Sequence, residues 1–404
     1  GSGKSLSTLL CMHFFSEMSN LQQNKNNSST TATATTHSLP SSPKNHPSHE
    51  NTLTSNILNE DGDEQSDTES NENLDSSSKA ITQKILSMTP ILEAFANATT
   101  VRNNNSSRFG KYIHLYFTPT TFTLTGAAIE SYLLEKSRIV SQSDNERNYH
   151  IFYQLFAGLT EEQRSLYQLG DISTYGIIRG LPRLRDASND AAGDISKEIT
   201  GLDDGYDFHR TVTALQHIGL TSTEIESIWS VLCACLHLGN VTFEQNPKLS
   251  NDGSQITFET EKYLTIVCKL LHLDESLLKE ALLHQKSKMG KEWITKNKNA
   301  ITARSALLAV IKSIYSAQFE WLIETMNKAL APKSTSNTNG GAGTGAVIPN
   351  PSKIFPSICL LDIFGFEVFT FNTFEQLCIN YTNEKMHHHF TQHVFEIELS
   401  EYRQ

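Results

Sequence analysis

The chain opens with residue types that bind phosphate. They match the last five positions of the phosphate-binding loop G-x-x-x-x-G-K-[ST], whose backbone amides and lysine hold the β- and γ-phosphates and whose hydroxyl binds Mg2+. An apolar stretch with helical spacing follows, as this loop requires. A Gly/Ser remnant of cloning would read the same, so the match is weak by itself. The five residues are Gly1, Ser2, Gly3, Lys4 and Ser5.

A second stretch, NNNSSRFG at Asn103–Gly110, places two hydroxyl groups beside a guanidinium group. The hydroxyls would bind Mg2+ and an attacking water, and the arginine would lie near the γ-phosphate of a nucleotide. The chain is rich in Asn and Ser elsewhere, so an ordinary polar loop explains this stretch equally well.

A third stretch, DIFGFE at Asp362–Glu367, follows the unbroken apolar run Ile358–Leu361. Such a run predicts a parallel strand buried on both faces. An Asp at its carboxyl end is the Walker-B arrangement, which holds Mg2+ directly or through water. Gly365 would let a backbone amide approach the γ-phosphate, and Glu367 could pair with a cation. A buried strand followed by a turn would account for Gly365 but not for the two carboxylates.

Periodicity assigns the elements that must position these stretches. The segment KYIHLYFTPTTFTLTG, which starts at Lys111, alternates apolar and polar residues and predicts a strand or hairpin. Residues 81–100 have a helical pattern interrupted at Pro90, and residues 303–330 have the apolar face of an interior helix. The stretch TFEQ at Thr373–Gln376 is a capping box, and we predict that its helix continues to the end of the chain.

Two segments have the composition of flexible insertions. Residues 19–79 are rich in Asn, Ser and Thr and end in an acidic run, and residues 332–353 are rich in Gly, Ser and Asn. Neither segment has enough apolar surface to offset the entropy cost of ordering. We therefore predict that residues 19–79 are disordered and that residues 332–353 are flexible.

The overall composition excludes several classes of protein. The 404 residues include 44 acidic residues against 33 Lys and Arg, a formal net charge of −11. This balance argues against nucleic-acid binding, because neutralising phosphates requires clustered cations. No apolar run reaches about 20 residues, so we expect no transmembrane segment and a cytoplasmic location. The cysteines include no C-x-x-C pair, so we expect neither a disulfide framework nor a zinc site.

The three stretches, together with NYHIFYQLFAGL at 148–159 and the continuation of the third stretch to Phe390, resemble a myosin motor domain. The resemblance covers nearly the whole chain outside the two insertions. Microtubule motors share the S-S-R core, but Phe109–Gly110 and Phe366 differ from their pattern. The resemblance implies a partial motor domain over residues 1–404, with an α/β fold of the P-loop NTPase type. That fold has a mostly parallel central sheet flanked by many helices.

The resemblance also implies a role for each site residue. Those that would bind ATP are Gly1, Ser2, Gly3, Lys4, Ser5, Asn103 and Asp362. Those that would hold Mg2+ are Ser5 and Ser107. Those that would act in hydrolysis are Ser106, Arg108, Gly365 and Glu367. Water would attack the γ-phosphate in line, and an Arg108–Glu367 ion pair would close the site. The helix after Thr373 resembles the relay helix that carries this closure to a distant surface.

The stretch SKMGKEWITKNKN at 287–299 resembles an actin-contacting loop, with Lys291 and Glu292 as contact residues. The protein implied is an actin-based motor of the actin cytoskeleton, a Mg-dependent and actin-activated ATPase at full length. Light chains would bind a lever arm outside this chain. Because half of the phosphate loop is missing, we expect no hydrolysis by this chain alone. One alternative stays open, a truncated or pseudo-motor product that binds actin or other proteins without ATPase activity.

Overall fold

The structure is a computed structural model in which part of the chain can be described. Gly1–Ser5, Lys291, residues 19–79 and all but the ends of residues 332–353 lie outside that part, so the predictions made for them stay predictions. The described residues are 7–8, 10–12, 14–15, 18, 81–143, 145–178, 202–248, 253–290, 292–332, 351–369 and 372–403.

Long helices and short strands make up the described chain. The strands are β1 (Asn97–Thr100), β2 (Asn103–Ser107), β3 (Gly110–Phe117), β4 (Leu124–Tyr132), β5 (Phe243–Gln245), β6 (Ser254–Ile256), β7 (His284–Met289), β8 (Glu292–Asn297) and β9 (Ser357–Asp362). The α-helices are α1 (Thr89–Ala96), α2 (His150–Gly158), α3 (Glu161–Leu166), α4 (Asp204–His217), α5 (Ser222–Gly239), α6 (Phe258–Leu271), α7 (Glu275–Leu283), α8 (Ala300–Leu330), α9 (Phe374–Thr391) and α10 (Glu398–Tyr402). Short 3-10 turns lie at Lys136–Ile139, Ile172–Thr174, Gly176–Ile178 and Pro351–Lys353, and a π-helical segment lies at Gln392–Ile397.

The largest described sheet has the strand order β4-β3-β9, and both of its pairings are antiparallel. Residues 118–123 join β3 to β4, so the segment predicted as a strand or hairpin is a hairpin. This connection is too short for the crossover that a parallel pair needs. β9 runs back along β3, with Asp362 opposite Lys111. The prediction of a mostly parallel central sheet is therefore wrong for the described residues.

The strand β9 is not buried on both faces, as its apolar run Ile358–Leu361 had predicted. Ile358 is 36% exposed and Leu361 is 40% exposed, although Leu360 packs against the main core. The cause is the position of β9 at the sheet edge, where its outer side pairs with no other described strand.

The core forms around α8, whose Leu307, Ile311 and Leu322 are buried as predicted. Ile314, predicted on the same face, is only partly buried but packs against the core. The helix packs on β4 and α5. Asn327 completes the contact with β4, because its Nδ2 donates to the Ile129 carbonyl at 2.9 Å and its Oδ1 accepts from the Ile129 amide at 2.7 Å. At this edge of the sheet, one amide side chain takes the place of a neighbouring strand.

By length and composition alone, α8 would also qualify as a membrane-spanning helix. Its buried side chains belong to the hydrophobic core instead. The Tyr315 hydroxyl donates to the Phe95 carbonyl at 2.8 Å, and the Tyr315 ring stacks on Tyr149 with 5.3 Å between centroids. These contacts are those of a central helix in a folded domain.

A hairpin of β1 and β2 replaces the end of the helix predicted for residues 81–100. Pro90 lies in the first turn of α1, as expected, but α1 ends at Ala96. Thr99 and Thr100 are β-branched and suit extended backbone, and their hydroxyls donate to β2 carbonyls at 2.9 and 3.3 Å. The NNNSS stretch, for which a polar loop was an equal interpretation, is thereby held as a strand.

The capping box predicted at Thr373 is present. The Thr373 amide donates to Gln376 Oε1 at 2.9 Å, and α9 begins at the next residue. Helical structure continues through the π-helical segment to Tyr402, in agreement with the predicted long helix. Phe374 and Tyr381 are 74% and 62% exposed, so the described residues leave much of the apolar face of α9 uncovered.

Replacing Asn327 by Ala should lower the free energy of unfolding by about 2 kcal/mol, because the amide and the carbonyl of Ile129 both lose their partner. Urea unfolding of the purified protein, followed by circular dichroism, measures this change. Lys328→Ala is the control, since Lys328 is the exposed next residue of the same helix; its effect should stay within about 0.5 kcal/mol. Equal unfolding midpoints for the two variants would show that Asn327 does not support the sheet edge.

Candidate functional site

Arg108 lies at the centre of a cluster of charged side chains. It follows β2 and is 1% exposed. Its Nη1 and Nη2 atoms donate to the two carboxylate oxygens of Glu367 at 2.5 and 3.1 Å, and its Nε donates to Glu135 Oε2 at 2.6 Å. Nη1 also donates to Ser106 Oγ at 3.2 Å. The guanidinium group therefore has two carboxylate partners, and the bidentate contact with Glu367 suits its planar donor geometry.

The backbone around Arg108 is fixed on both sides. The Arg108 amide donates to the Ala96 carbonyl at 2.8 Å, and the Arg108 carbonyl accepts from the Glu135 amide at 3.0 Å. The next residue, Phe109, is buried and packs edge-on against Phe319 of α8, with 5.4 Å between ring centroids. The apolar anchor and the backbone bonds leave the arginine little freedom to move.

Glu367 reaches Arg108 from residues 363–369, which follow β9 without regular secondary structure. α9 holds this segment, because Asn380 Oδ1 accepts from the Glu367 amide at 2.8 Å and Asn380 Nδ2 donates to the Glu367 carbonyl at 2.7 Å. Gln376 Nε2 also donates to Glu367 Oε2 at 3.3 Å. Glu367 therefore connects α9 with the end of β2.

Asp362 ends β9 at a buried position, and its Oδ2 lies 2.8 Å from Nζ of Lys111 on β3. This contact is an ion pair without hydrogen-bond geometry, so Oδ2 has a charge partner but no hydrogen bond among the described residues. No role for Lys111 was predicted from the sequence. The available signal was its place at the start of an alternating strand, directly after the S-S-R-F-G stretch.

The hairpin orients the polar side chains of β2. Ser107 Oγ donates to the Phe109 carbonyl at 3.0 Å, which leaves the oxygen lone pairs of the hydroxyl available. The Asn103 side chain bonds to the carbonyl and to the amide of Asn105, each at 3.1 Å.

Asn105 joins the hairpin to α2. Its Oδ1 accepts from Asn97 Nδ2 at 2.9 Å and lies 3.2 Å from His150 Nε2. Burial, and then the charges of Arg147 and Arg138, lower the pKa of His150 to about 3. The imidazole is therefore neutral at pH 7, and its contact with a carbonyl-type oxygen assigns the proton to Nε2.

Ion pairs continue from Arg108 into the interior. Arg138 donates to Glu135 at 2.7 Å and to Glu146 at 2.8 Å. Burial raises the pKa of Glu135, but Arg138 and Arg108 lower it by more, so the pKa lies below its ordinary value. Burial lowers the pKa of Arg108, but Glu135 and then Glu367 raise it above its ordinary value. Glu135 and Arg108 therefore both carry their charge near neutral pH.

A small cavity of about 30 Å³ lies beside Asn105 and His150, with Glu93 and Arg210 also in its lining. This volume holds about two water molecules and is too small for a nucleotide. The phosphate loop predicted at Gly1–Ser5 lies outside the described residues.

The structure thus brings Ser106, Arg108 and Glu367 into contact, and it places Asp362 on the strand that leads to Glu367. Glu292 lies in a different sheet, the β7–β8 hairpin, in which every residue of β8 is exposed. Glu135 was not predicted as a site residue, although the sequence shows its charged E-K-S-R context directly after an apolar pair.

The chain is similar in sequence to known proteins along most of its length. A family model described as Myosin head (motor domain) matches residues 1–404. The chain is 40% identical over 321 residues to Myosin-2 of Lachancea kluyveri, which covers 79% of this chain and 18% of that protein. It is 40% identical over 331 residues to Unconventional myosin-IXa of Homo sapiens, and this match covers 80% of this chain and 12% of that protein. It is 37% identical over 325 residues to Myosin-17 of Arabidopsis thaliana, and this match covers 80% of this chain and 19% of that protein.

The chain belongs to the myosin head (motor domain) family. The family implies the α/β fold of P-loop NTPases, and it agrees with the resemblance inferred from the three stretches. The chain spans only 12% to 19% of the length of these three relatives.

Replacing His150 by Gln should make the protein less sensitive to acid. Below its ordinary pKa of about 6.5, a histidine binds a proton in the unfolded chain, whereas His150 with a pKa of about 3 does not bind one in the folded state. Stability is therefore lost as the pH falls from about 6.5 towards about 3, by about 2 kcal/mol at pH 5. Urea unfolding measured at pH 7 and at pH 5 checks this. Between these two pH values, H150Q should lose about 2 kcal/mol less unfolding free energy than the unaltered protein.

The control for this measurement is H217Q, because His217 is an exposed residue at the end of α4. We expect H217Q to lose as much unfolding free energy between pH 7 and pH 5 as the unaltered protein. An equal loss in H150Q and H217Q would contradict the assignment of a neutral, buried His150.

Proposed function

We propose that the chain is part of an actin-based motor that hydrolyses ATP with Mg2+ in the cytoplasmic actin cytoskeleton. The observation that carries this proposal is the bidentate ion pair between Arg108 and Glu367. It joins Asn103–Arg108 and Asp362–Glu367, which we assign as the two nucleotide-sensing switch segments of the family. The second of these segments is bonded to the long helix α9. Membership of the myosin head family supports the same function.

The side chains near the switch segments suit an Mg-nucleotide. Mg2+ prefers oxygen ligands from hydroxyl, carboxylate and phosphate groups, and Ser107 and Asp362 supply a hydroxyl and a buried carboxylate. Lys111 balances the charge of Asp362 in this structure. We assign Ser107 as a Mg2+ ligand and Asp362 as a support for the water shell of the metal. Ser5 would be the second protein ligand, and Lys4 would contact the β- and γ-phosphates.

Hydrolysis would depend on positioning and on electrostatic stabilisation, as in other phosphoryl transfers. Ser106 would hold the attacking water, since its hydroxyl lies at the guanidinium group of Arg108. Gly365 would direct a backbone amide at the γ-phosphate, and Asn103 would contact the nucleotide. Closure of the Arg108–Glu367 pair would shield the site from bulk water.

Coupling to movement would run through α9. The backbone amide of Glu367 donates to Asn380, its carbonyl accepts from Asn380, and its carboxylate accepts from Gln376. A γ-phosphate that draws the switch segment inward would therefore also move α9. This is the order and hinge type of transition that phosphate contacts drive in other nucleotide switches.

The β7–β8 hairpin is the proposed actin contact, and Lys291 and Glu292 are the proposed contact residues. Lys288 and Trp293 are paired across the hairpin and both are exposed. A cation beside an aromatic side chain suits a partner surface with acidic and apolar parts.

Replacing Glu367 by Ala should lower the rate of ATP hydrolysis by about a hundredfold or more, because Arg108 loses its bidentate partner at the step that closes the site. Nucleotide binding should remain, since Glu367 is not among the residues proposed to hold the phosphates. Steady-state hydrolysis and the affinity for a fluorescent ATP analogue, both in the full-length protein, measure the two quantities.

The matched control is E375Q, which removes a carboxylate from the first turn of α9 without touching Arg108. It should hydrolyse ATP at close to the unaltered rate. If E367A retained full turnover, the switch assignment would be wrong. If the unaltered full-length protein bound ATP and actin without hydrolysis, the alternative of a pseudo-motor would be favoured.

Replacing Lys288 by Glu should weaken actin binding by about tenfold at low salt and by less at high salt, because the lost attraction is electrostatic and is screened. Co-sedimentation with actin filaments at two salt concentrations measures this. Lys269→Glu makes the same charge change at an exposed position of α6 and serves as the control. The same loss of affinity in both variants would remove the hairpin from the actin contact.

A further inference from the structure

The two carboxylate partners of Arg108 belong to different parts of the fold. We propose that Glu135 is a positioning residue that keeps Arg108 paired and in place when Glu367 withdraws, so that the closed site can open and release product. This inference rests on the proposed function, because opening and closing have meaning only for a nucleotide switch.

Glu135 shares a fixed frame with Arg108. Its amide donates to the Arg108 carbonyl at 3.0 Å, and its own carbonyl accepts from the hydroxyl of the buried Tyr149 at 2.9 Å. It is also the N-cap residue that directly precedes the 3-10 turn Lys136–Ile139. With its amide and carbonyl both bonded to buried parts of the chain, Glu135 keeps its carboxylate at a constant position relative to Arg108.

Glu367 is held by a different part of the structure. Its backbone bonds run to Asn380 of α9, and it lies in residues 363–369, which have no regular secondary structure. A shift of α9 would therefore carry Glu367 away from Arg108 and leave Glu135 where it is. One carboxylate travels with the helix and the other stays with the arginine.

The charge count of the cluster favours a mobile Glu367 and a stationary Glu135. In the closed arrangement, the guanidinium groups of Arg108 and Arg138 contact the carboxylates of Glu135, Glu146 and Glu367, which leaves one negative charge in excess. Once Glu367 leaves, two cations and two carboxylates remain, and the buried cluster is neutral. Without Glu135, opening would leave one buried cation unpaired, which is strongly unfavourable.

The described residues offer Arg108 no other charged partner that could replace Glu135. The remaining side-chain contact is the hydroxyl of Ser106 at 3.2 Å, which is neutral. Removing the charge of Glu135 should therefore penalise the open state more than the closed state, in which Glu367 still pairs with the arginine.

The test is E135Q in the full-length protein, since glutamine keeps the size and an acceptor oxygen but loses the charge. A rapid-quench burst of phosphate formation, which needs the closed site, should persist. Release of that phosphate in a single turnover should slow by about ten- to a hundredfold. E146Q is the matched control, because Glu146 belongs to the same cluster but contacts Arg138 and not Arg108. E146Q removes the same charge from the cluster but leaves both carboxylate partners of Arg108 in place, so it should slow phosphate release by much less than E135Q.

Two outcomes would overturn the inference while the proposed function stands. In the first, E135Q and E146Q release phosphate equally fast. In the second, E135Q loses the burst, as expected of E367A, which would assign Glu135 to closing and not to opening. Absence of a burst in the unaltered protein would instead refute the proposed function.

A second variant keeps the test decisive if circular dichroism shows that E135Q does not fold. E135D retains the charge but shortens the side chain, which lengthens the contact with Arg108. Phosphate release should then be slower than in the unaltered protein. The slowing should be smaller than the ten- to hundredfold expected when the charge is lost. Release at the unaltered rate in E135D would contradict the positioning role.

Discussion

The burial of the Arg108 guanidinium group is the constraint on which the rest of the site depends. A cation that is 1% exposed persists only where carboxylates replace its lost hydration. The two that do so come from distant parts of the chain, Glu135 after β4 and Glu367 after β9. Arg108 itself follows β2. The charge of Arg108 therefore fixes the relative positions of three chain segments. The strands β2, β4 and β9, which precede these segments, must end close to one another.

The antiparallel sheet explains how those segments meet. Because β3 runs opposite to both of its neighbours, its first residues lie beside the last residues of β4 and β9. Arg108 comes just before β3, and Glu135 and Glu367 come just after the other two strands, so all three lie at one end of the sheet. The pair between Lys111 and Asp362 marks the same end. The expected location of Asp362 at a strand end was thus useful although the expected parallel direction was wrong.

The sequence was sufficient for features that depend on local residue types. Thr373 as a helix cap, the buried face of α8 and the contact of Arg108 with Glu367 were predicted, the last through resemblance to a family. Strand direction and the exposure of Ile358 were not, because an apolar run reports hydrophobicity and carries no information about which strand lies beside it. Glu135 was missed for a similar reason, since its partner is set by the register between β3 and β4, which residue types alone do not report.

The way in which α9 holds Glu367 determines where the structure can separate. Asn380 satisfies both the amide and the carbonyl of Glu367, as Asn327 does for a residue of β4. Pulling α9 away from this segment would leave two backbone groups without partners, each of which costs about 1–3 kcal/mol when buried. Separating Glu367 from Arg108 leaves the arginine with Glu135 and exposes the glutamate to water. The break with the lower cost lies between the two charged side chains, so α9 and Glu367 should move as one body.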